Sequence, residues 1–150
     1  MKLSTRSRYG IHAMFDLAKN KGEGPQAIRS IAERQDVPEQ YLEQLIGPLR
    51  RAHLVRSVRG AGGGYLLARP PGEITVGQIV RALEGPLNIT DCMADADSCS
   101  RSGLCPSRLI WERLGQAINE VLDRITLDDM LHDDVRLRAA KEDDNGNDLS

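Results

Sequence analysis

The chain has 150 residues, 28% of them charged and 40% hydrophobic, which is the size and balance of one folded unit with at most a small assembly arm. Its net charge of −2 hides two opposed parts: residues 1–69 carry 12 Lys/Arg against 6 Asp/Glu, whereas residues 70–150 carry 8 against 16. No leader-like or membrane-spanning apolar run is visible, and three cysteines argue against a disulfide framework, so a cytoplasmic protein with one basic, nucleic-acid-facing side is expected.

Phe15 and Trp111 are the only residues of their kinds, so burial rests on Leu, Ile, Val and Ala, and the expected class is mostly α. Tyr9, Ala13, Met14, Leu17 and Ala18 mark a first helix, ended by the polar stretch Lys19 to Gly24 and by Pro25. A second helix spans Ala27 to Gln35. Asp36-Val37-Pro38 then forms a sharp turn, because proline fits a first helical turn and drives the residue before it out of the α region. A third helix buries Leu42, Leu45, Ile46 and Leu49, leaving Gln40, Tyr41, Glu43 and Gln44 outside; Pro48 predicts a kink near Ile46 and a further turn through Ala52. The pair reads as a helix-turn-helix whose second helix enters a major groove, with a plain helical hairpin as the alternative.

Leu54 to Val58 and Tyr65 to Leu67 are strand-like around Gly60-Ala61-Gly62-Gly63-Gly64, a hairpin that follows the helix-turn-helix as a wing. Arg56 and Arg59 lead into its tip. A phosphate loop is excluded, since no Gly-Lys-Ser/Thr follows and a strand stands where a helix is required. Thr75 caps a helix over about Val76 to Leu83, and Gly85-Pro86 opens an irregular stretch through Gly103.

After Pro106 a helix runs to about Arg124, with Trp111, Leu114, Ile118, Val121 and Ile125 spaced 3, 4, 3 and 4 residues apart. That seam predicts a coiled-coil contact with a second copy of the chain; burial in its own core is the alternative. Thr126 and Asp129 resemble a capping box that opens a short helix to about Leu131, and Ala139 to Ser150 reads as a disordered polar tail. The expected organisation is a winged helix-turn-helix over 1–86, a cysteine-bearing loop over 87–105, dimerisation helices over 106–131 and a tail over 132–150.

Cys92, Cys99 and Cys105 sit in a segment rich in Asp and Ser, with no apolar pocket for three thiols. Ligation of a metal or cluster, redox-reactive thiols and inert residues are the three readings. Structural zinc favours closer pairs and four protein ligands, whereas an iron–sulfur cluster accepts spacings of six and five, and Cys105-Pro106 is similar to the Cys-Pro that closes many cluster motifs. No paired catalytic carboxylates, activated nucleophile or nucleotide loop is evident, so an enzyme is not expected.

The strings Met1-Lys2-Leu3-Ser4-Thr5, Arg8-Tyr9-Gly10, Tyr41-Leu42-Glu43-Gln44-Leu45 and Val58-Arg59-Gly60-Ala61-Gly62-Gly63-Gly64-Tyr65-Leu66-Leu67, with the cysteine loop and Trp111, resemble the bacterial winged-helix regulators that include IscR, NsrR, RirA and CymR. The match covers residues 1 to about 131. The resemblance implies a homodimer that binds a palindromic operator in double-stranded DNA. It places Gln40, Tyr41, Glu43 and Gln44 at the major groove, Arg59 at the minor groove, and Ser4 and Tyr9 at the backbone. It also implies an iron–sulfur cluster of two or four irons on Cys92, Cys99 and Cys105.

The fourth ligand departs from the family's patterns. Arg108 stands where IscR-like chains have a histidine, and Arg8 where NsrR-like chains have an acid, which leaves His12 of a partner subunit or an exogenous ligand. Gly85-Pro86 and Gly47-Pro48-Leu49-Arg50 look more like the CymR branch, which carries no cluster and answers to a cysteine-synthesis enzyme. That branch lacks the three cysteines.

Overall fold

A computed structural model describes residues 3–90, 95, 97, 100 and 103–147. Helix α1 (Thr5–Lys19) floors the core with Ala13, Met14, Leu17 and Ala18, and α2 (Ile28–Gln35) and α3 (Glu39–Arg51) pack against it. Between them Asp36 adopts a left-handed conformation, the Val37 N–H donates to the Ala32 carbonyl at 3.0 Å, and Pro38 starts α3 by accepting from the Leu42 N–H at 3.1 Å. Buried Val37 plugs the turn, so the angle between α2 and α3 is held by packing as well as by backbone.

Helix α3 runs through Pro48 to Arg51 with Ala52 as its C-cap, so the further turn expected after Pro48 forms. Proline at 48 leaves the Gln44 carbonyl without its helical donor, and Gln44 lies on the exposed face of the helix. Ile46 and Leu49 stay buried beside it.

An ion pair joins α1 to α2. Asp16 is 1% exposed, and its two oxygens accept from Arg34 Nε at 2.9 Å and Nη2 at 2.8 Å, with Gln35 Nε2 adding a third bond at 3.2 Å. The hydrogen bond to Asp16 raises the pKa of Arg34. A second bond from Arg34 Nη2 reaches Gln26 Oε1 at 2.8 Å.

Strands β1 (Val55–Val58) and β2 (Gly64–Leu67) pair antiparallel with Val55 opposite Leu67 and Val58 opposite Gly64. Gln26 adds a one-residue third strand: its N–H donates to the Tyr65 carbonyl at 2.9 Å and its carbonyl accepts from the Tyr65 N–H at 2.8 Å. Only glycine fits next to this bridge, since a Cβ at Gly64 would collide with the Gln26 carbonyl. The root of the hairpin is tied to α3 by Leu54 N–H donating to the Leu49 carbonyl, 3.0 Å.

A 3₁₀ turn at Pro71–Glu73 leads to α4 (Val76–Glu84), opened by a reciprocal cap in which Gln78 N–H donates to Thr75 Oγ1 (3.1 Å) and Thr75 N–H to Gln78 Oε1 (3.0 Å). Helix α4 closes the core against α1.

Helix α5 (Pro106–Arg124) has Gly115 as its one buried residue among the described ones, while Leu109, Ile110, Leu114 and Val121 are 44–58% exposed. Arg81 of α4 reaches it, donating to Asn119 Oδ1 at 3.1 Å and pairing with Asp123. Helix α6 (Leu127–Asn147) begins at the cap expected from Thr126 and Asp129: Asp129 N–H donates to Thr126 Oγ1 (3.1 Å), and Thr126 N–H to Asp129 Oδ2 (2.9 Å). These bonds hold the Asp129 carboxyl below its usual pKa.

The sequence stopped α6 near Leu131 and assigned disorder from Ala139, but the helix continues to Asn147. Ion pairs one turn apart, Arg138–Asp134 at 3.1 Å and Arg136–Asp133 at 3.0 Å, support it, and Lys19 of α1 holds Asp134 at 3.2 Å. Fully buried Leu127 anchors its first turn in the core.

Replacing Asp16 with Ala leaves Arg34 and Gln35 facing an unfilled site. The Asp16→Ala chain should lose about 2 to 4 kcal/mol of stability, read as a lower urea midpoint at unchanged m-value; an unaltered midpoint would remove this ion pair from the fold's essentials.

Candidate nucleic-acid interface

The amphipathic division of α3 creates the presenting surface. Leu42, Leu45, Ile46 and Leu49 are buried, and Gln40, Glu43, Gln44 and Arg50 are exposed on the other side. Amides and a carboxylate on a rigid helix are the groups that distinguish base edges in a major groove: Gln serves adenine as donor and acceptor, and Glu accepts from the cytosine amino group.

Tyr41 behaves differently from its neighbours. It is half-buried and stacks edge-on against Tyr9 of α1, with centroids 5.2 Å apart and planes at 87°. The two tyrosines expected to meet DNA independently are thus one unit, bracing α3 against α1.

Ser4 lies just before α1, where its N–H donates to Glu84 Oε1 at 3.0 Å and its hydroxyl also contacts that oxygen. Burial pushes the Glu84 pKa upward, but the bonds from Ser4 outweigh it and the carboxyl titrates below its usual 4.5. Ser4 is therefore positioned by α4.

Beyond Val58 the wing tip projects freely, with Arg59 exposed and the Gly63 N–H donating to the Gly60 carbonyl at 3.0 Å. Gly60 takes φ +99°, a left-handed turn conformation, and nothing lies within 4 Å of where its Cβ would be. The tip can approach a groove without side-chain clash.

Cys105 is half-buried at the N-cap of α5, where the backbone N–H groups of Arg108 and then Ser107 lower the pKa of its thiol. That is the electronic setting of a thiolate that binds a metal. Cys92 and Cys99 lie outside the described residues, and among the described residues no group of three His, Cys, Asp or Glu is placed to hold a metal. His12 is exposed on α1 and lines a cleft against α6 with Phe15, Gln35, Met130 and Asp133.

Residues 3–133 match the family model described as Rrf2, iron-dependent transcriptional regulator. The chain belongs to the Rrf2 family of DNA-binding transcriptional regulators. This Rrf2 chain is 46% identical to the HTH-type transcriptional regulator CymR of Bacillus subtilis (strain 168), across 87% of its own length and 89% of the relative's. It superposes on T. potens IscR with a TM-score of 0.73 and 51% identity, covering 89% of this chain and 88% of that one. The structure of CymR, the global cysteine regulator of B. subtilis, gives a TM-score of 0.73 at 45% identity, covering 87% and 95%. These relatives are transcriptional regulators, in keeping with a chain that is not an enzyme. Among the described residues no helix is long and apolar enough to cross a membrane.

Sequence reasoning missed two residues that shape this Rrf2 surface. Gln26 carries the wing's third strand, and Arg34 connects Gln26 to Asp16. A solitary bridge residue has no alternating pattern. Arg34 looks like an ordinary solvated cation on a short helix.

Arg59→Ala should weaken operator binding by about 1 to 3 kcal/mol with an unchanged melting temperature, because the side chain is exposed; equal affinity in a fluorescence-anisotropy titration would exclude Arg59 from the interface. A carbon-detected titration should place the Glu84 midpoint below 4.5. Since the folded state holds Glu84 ionised more strongly than the unfolded chain does, its support for Ser4 is complete above that value and is lost as pH falls through the folded midpoint.

Proposed function

We propose that the chain is an operator-binding homodimer whose grip on DNA is set by an iron–sulfur cluster held by Cys92, Cys99 and Cys105. The observation that carries operator binding is the exposed row of Gln40, Glu43 and Gln44 on a helix braced from behind, beside a wing that presents Arg59. The row reads base edges, Arg59 enters the neighbouring minor groove, and Ser4, held by Glu84, meets the phosphate backbone.

The bare apolar stripe of α5 is the dimer contact. Leu109, Ile110, Leu114 and Val121 are too exposed for a solitary chain, and an antiparallel or crossing second copy covers them. Residues 1–86 then form the DNA-binding unit, 87–105 the cysteine segment, and 106–131 the region of assembly, with 132–150 following it.

Cys105 fits cluster ligation through its lowered thiol pKa at a helix N-terminus. When bound, the cluster supplies redox and iron-responsive chemistry. Cys105 opens α5, so a change in its ligation acts on the helix that sets the spacing between two recognition helices. The remaining ligand position falls to His12 of a second copy or to an exogenous group.

Similarity to CymR, described in its structure as the global cysteine regulator, supports a second reading: a cluster-free regulator of cysteine or sulfur metabolism, controlled by thiol state or by a bound cysteine-synthesis enzyme.

Anaerobically purified chain should be brown, with iron and sulfide in comparable amounts, and Cys→Ser at all three positions should abolish the colour and change operator affinity. Colourless protein after anaerobic reconstitution, with affinity untouched by the triple substitution, would leave the second reading. Leu114→Asp should convert the dimer to monomer in light scattering and remove operator binding, while the circular-dichroism spectrum of the body persists. For the intact dimer, log affinity should fall with log salt at about 0.9 per phosphate neutralised.

A further inference from the structure

At the root of the wing, away from the recognition helix, the α1–α2 loop and the hairpin enclose a cavity of about 410 Å³. Lys21, Arg56 and Arg69 line it together with Gly22, Gly24 and Leu66, and no carboxylate does. None of the three cations has an ion pair among the described residues.

The position of these cations is set by backbone. Arg56 stands opposite Leu66 in the strand pairing, and Arg69 follows Ala68, whose N–H donates to the Leu54 carbonyl at 3.0 Å. Arg69 is the one of them with a buried donor left unpartnered. Its Nη2 reaches Gln78 Oε1 only at 3.4 Å, an oxygen already accepting from the Thr75 N–H, and its buried Nε has no acceptor. Like charges on Lys21 and Arg56 beside one open space repel one another, and the buried Arg69 Nε–H without a partner carries a desolvation cost.

We propose that this cavity is an oxyanion site that takes a phosphate group, with Arg56 as the fork donor, Lys21 as a mobile point charge and Arg69 in its wall. A phosphate offers four oxygens and a compact negative charge, which matches planar guanidinium donors. One chemistry admits two sources: a free phosphorylated small molecule, or a backbone phosphate of duplex bound beside the wing. The second source rests on the operator-binding reading; the first does not.

The test uses the full chain and the double variant Lys21→Gln/Arg56→Gln, whose altered side chains are exposed and so leave the melting temperature intact. Orthophosphate is titrated by calorimetry at low ionic strength against a chloride control, and a non-specific duplex is titrated across a salt series. Orthophosphate binding that weakens about tenfold or more in the variant assigns the site to a free anion. Absent orthophosphate binding, a duplex salt slope shallower by about 0.9 in the variant, the value for one phosphate, assigns it to nucleic acid. Variant and wild type identical in both titrations would overturn the site. A wild-type chain that ignores duplex yet shows the orthophosphate difference would refute operator binding and leave this site standing.

Discussion

The buried carboxylate of Asp16 is the constraint on which the DNA-facing half depends. A charge at 1% exposure is tolerable only with its bonds made; both Arg34 donors and the Gln35 amide come from the next helix, and Asn20 at the end of α1 adds a longer bond at 3.3 Å. Arg34 then passes the constraint on to Gln26, and Gln26 to Tyr65 in the wing. One carboxylate thereby relates α1, the helix-turn-helix and the hairpin, three elements that the apolar core alone holds without directional preference. Specificity of arrangement, more than net energy, is what a paired buried charge contributes here.

The remaining rigidity comes from contacts that look functional in the sequence and turn out to be shared. Tyr41 and Tyr9 meet edge to face, so the recognition helix is supported from α1 directly behind the exposed amides. Ser4 is fastened to α4 through Glu84. Side chains on this face are thus divided between exposed ones free to meet a partner and half-buried ones that hold the helix, and the division follows burial.

Much of this was legible beforehand, for physical reasons that differ by element. Pro38, the Thr75 cap, the Thr126/Asp129 capping pair, and the apolar periods of α3 and α5 are local signals, and local signals survive folding. Gln40, Glu43 and Gln44 were readable as exposed because their neighbours in the period are buried, and Arg59 because it leads into the glycine turn. What escaped was nonlocal: the Asp16–Arg34 pair spans 18 positions, and the Gln26–Tyr65 bridge joins single residues. Helix α6 escaped because its support is ionic, through Asp133, Asp134 and Lys19, and polar periodicity resembles disorder. Cys105 lies at a helix start, as its Pro106 suggested, while Cys92 and Cys99 fall outside the described residues.

The wing differs in tolerance along its length. At Gly64, in the last strand pair before the turn, the Gln26 carbonyl occupies the space of any side chain, and at Gly63 the Val58 carbonyl does the same, so these two positions admit one residue type. Around Gly60 the space is empty and only the backbone turn restricts the choice, to which asparagine also conforms. Inheritance can therefore rewrite the outer turn from Gly60 to Gly62 while Gly63 and Gly64 stay frozen, and related chains can drift in which sequences they favour without rebuilding the scaffold that carries the hairpin.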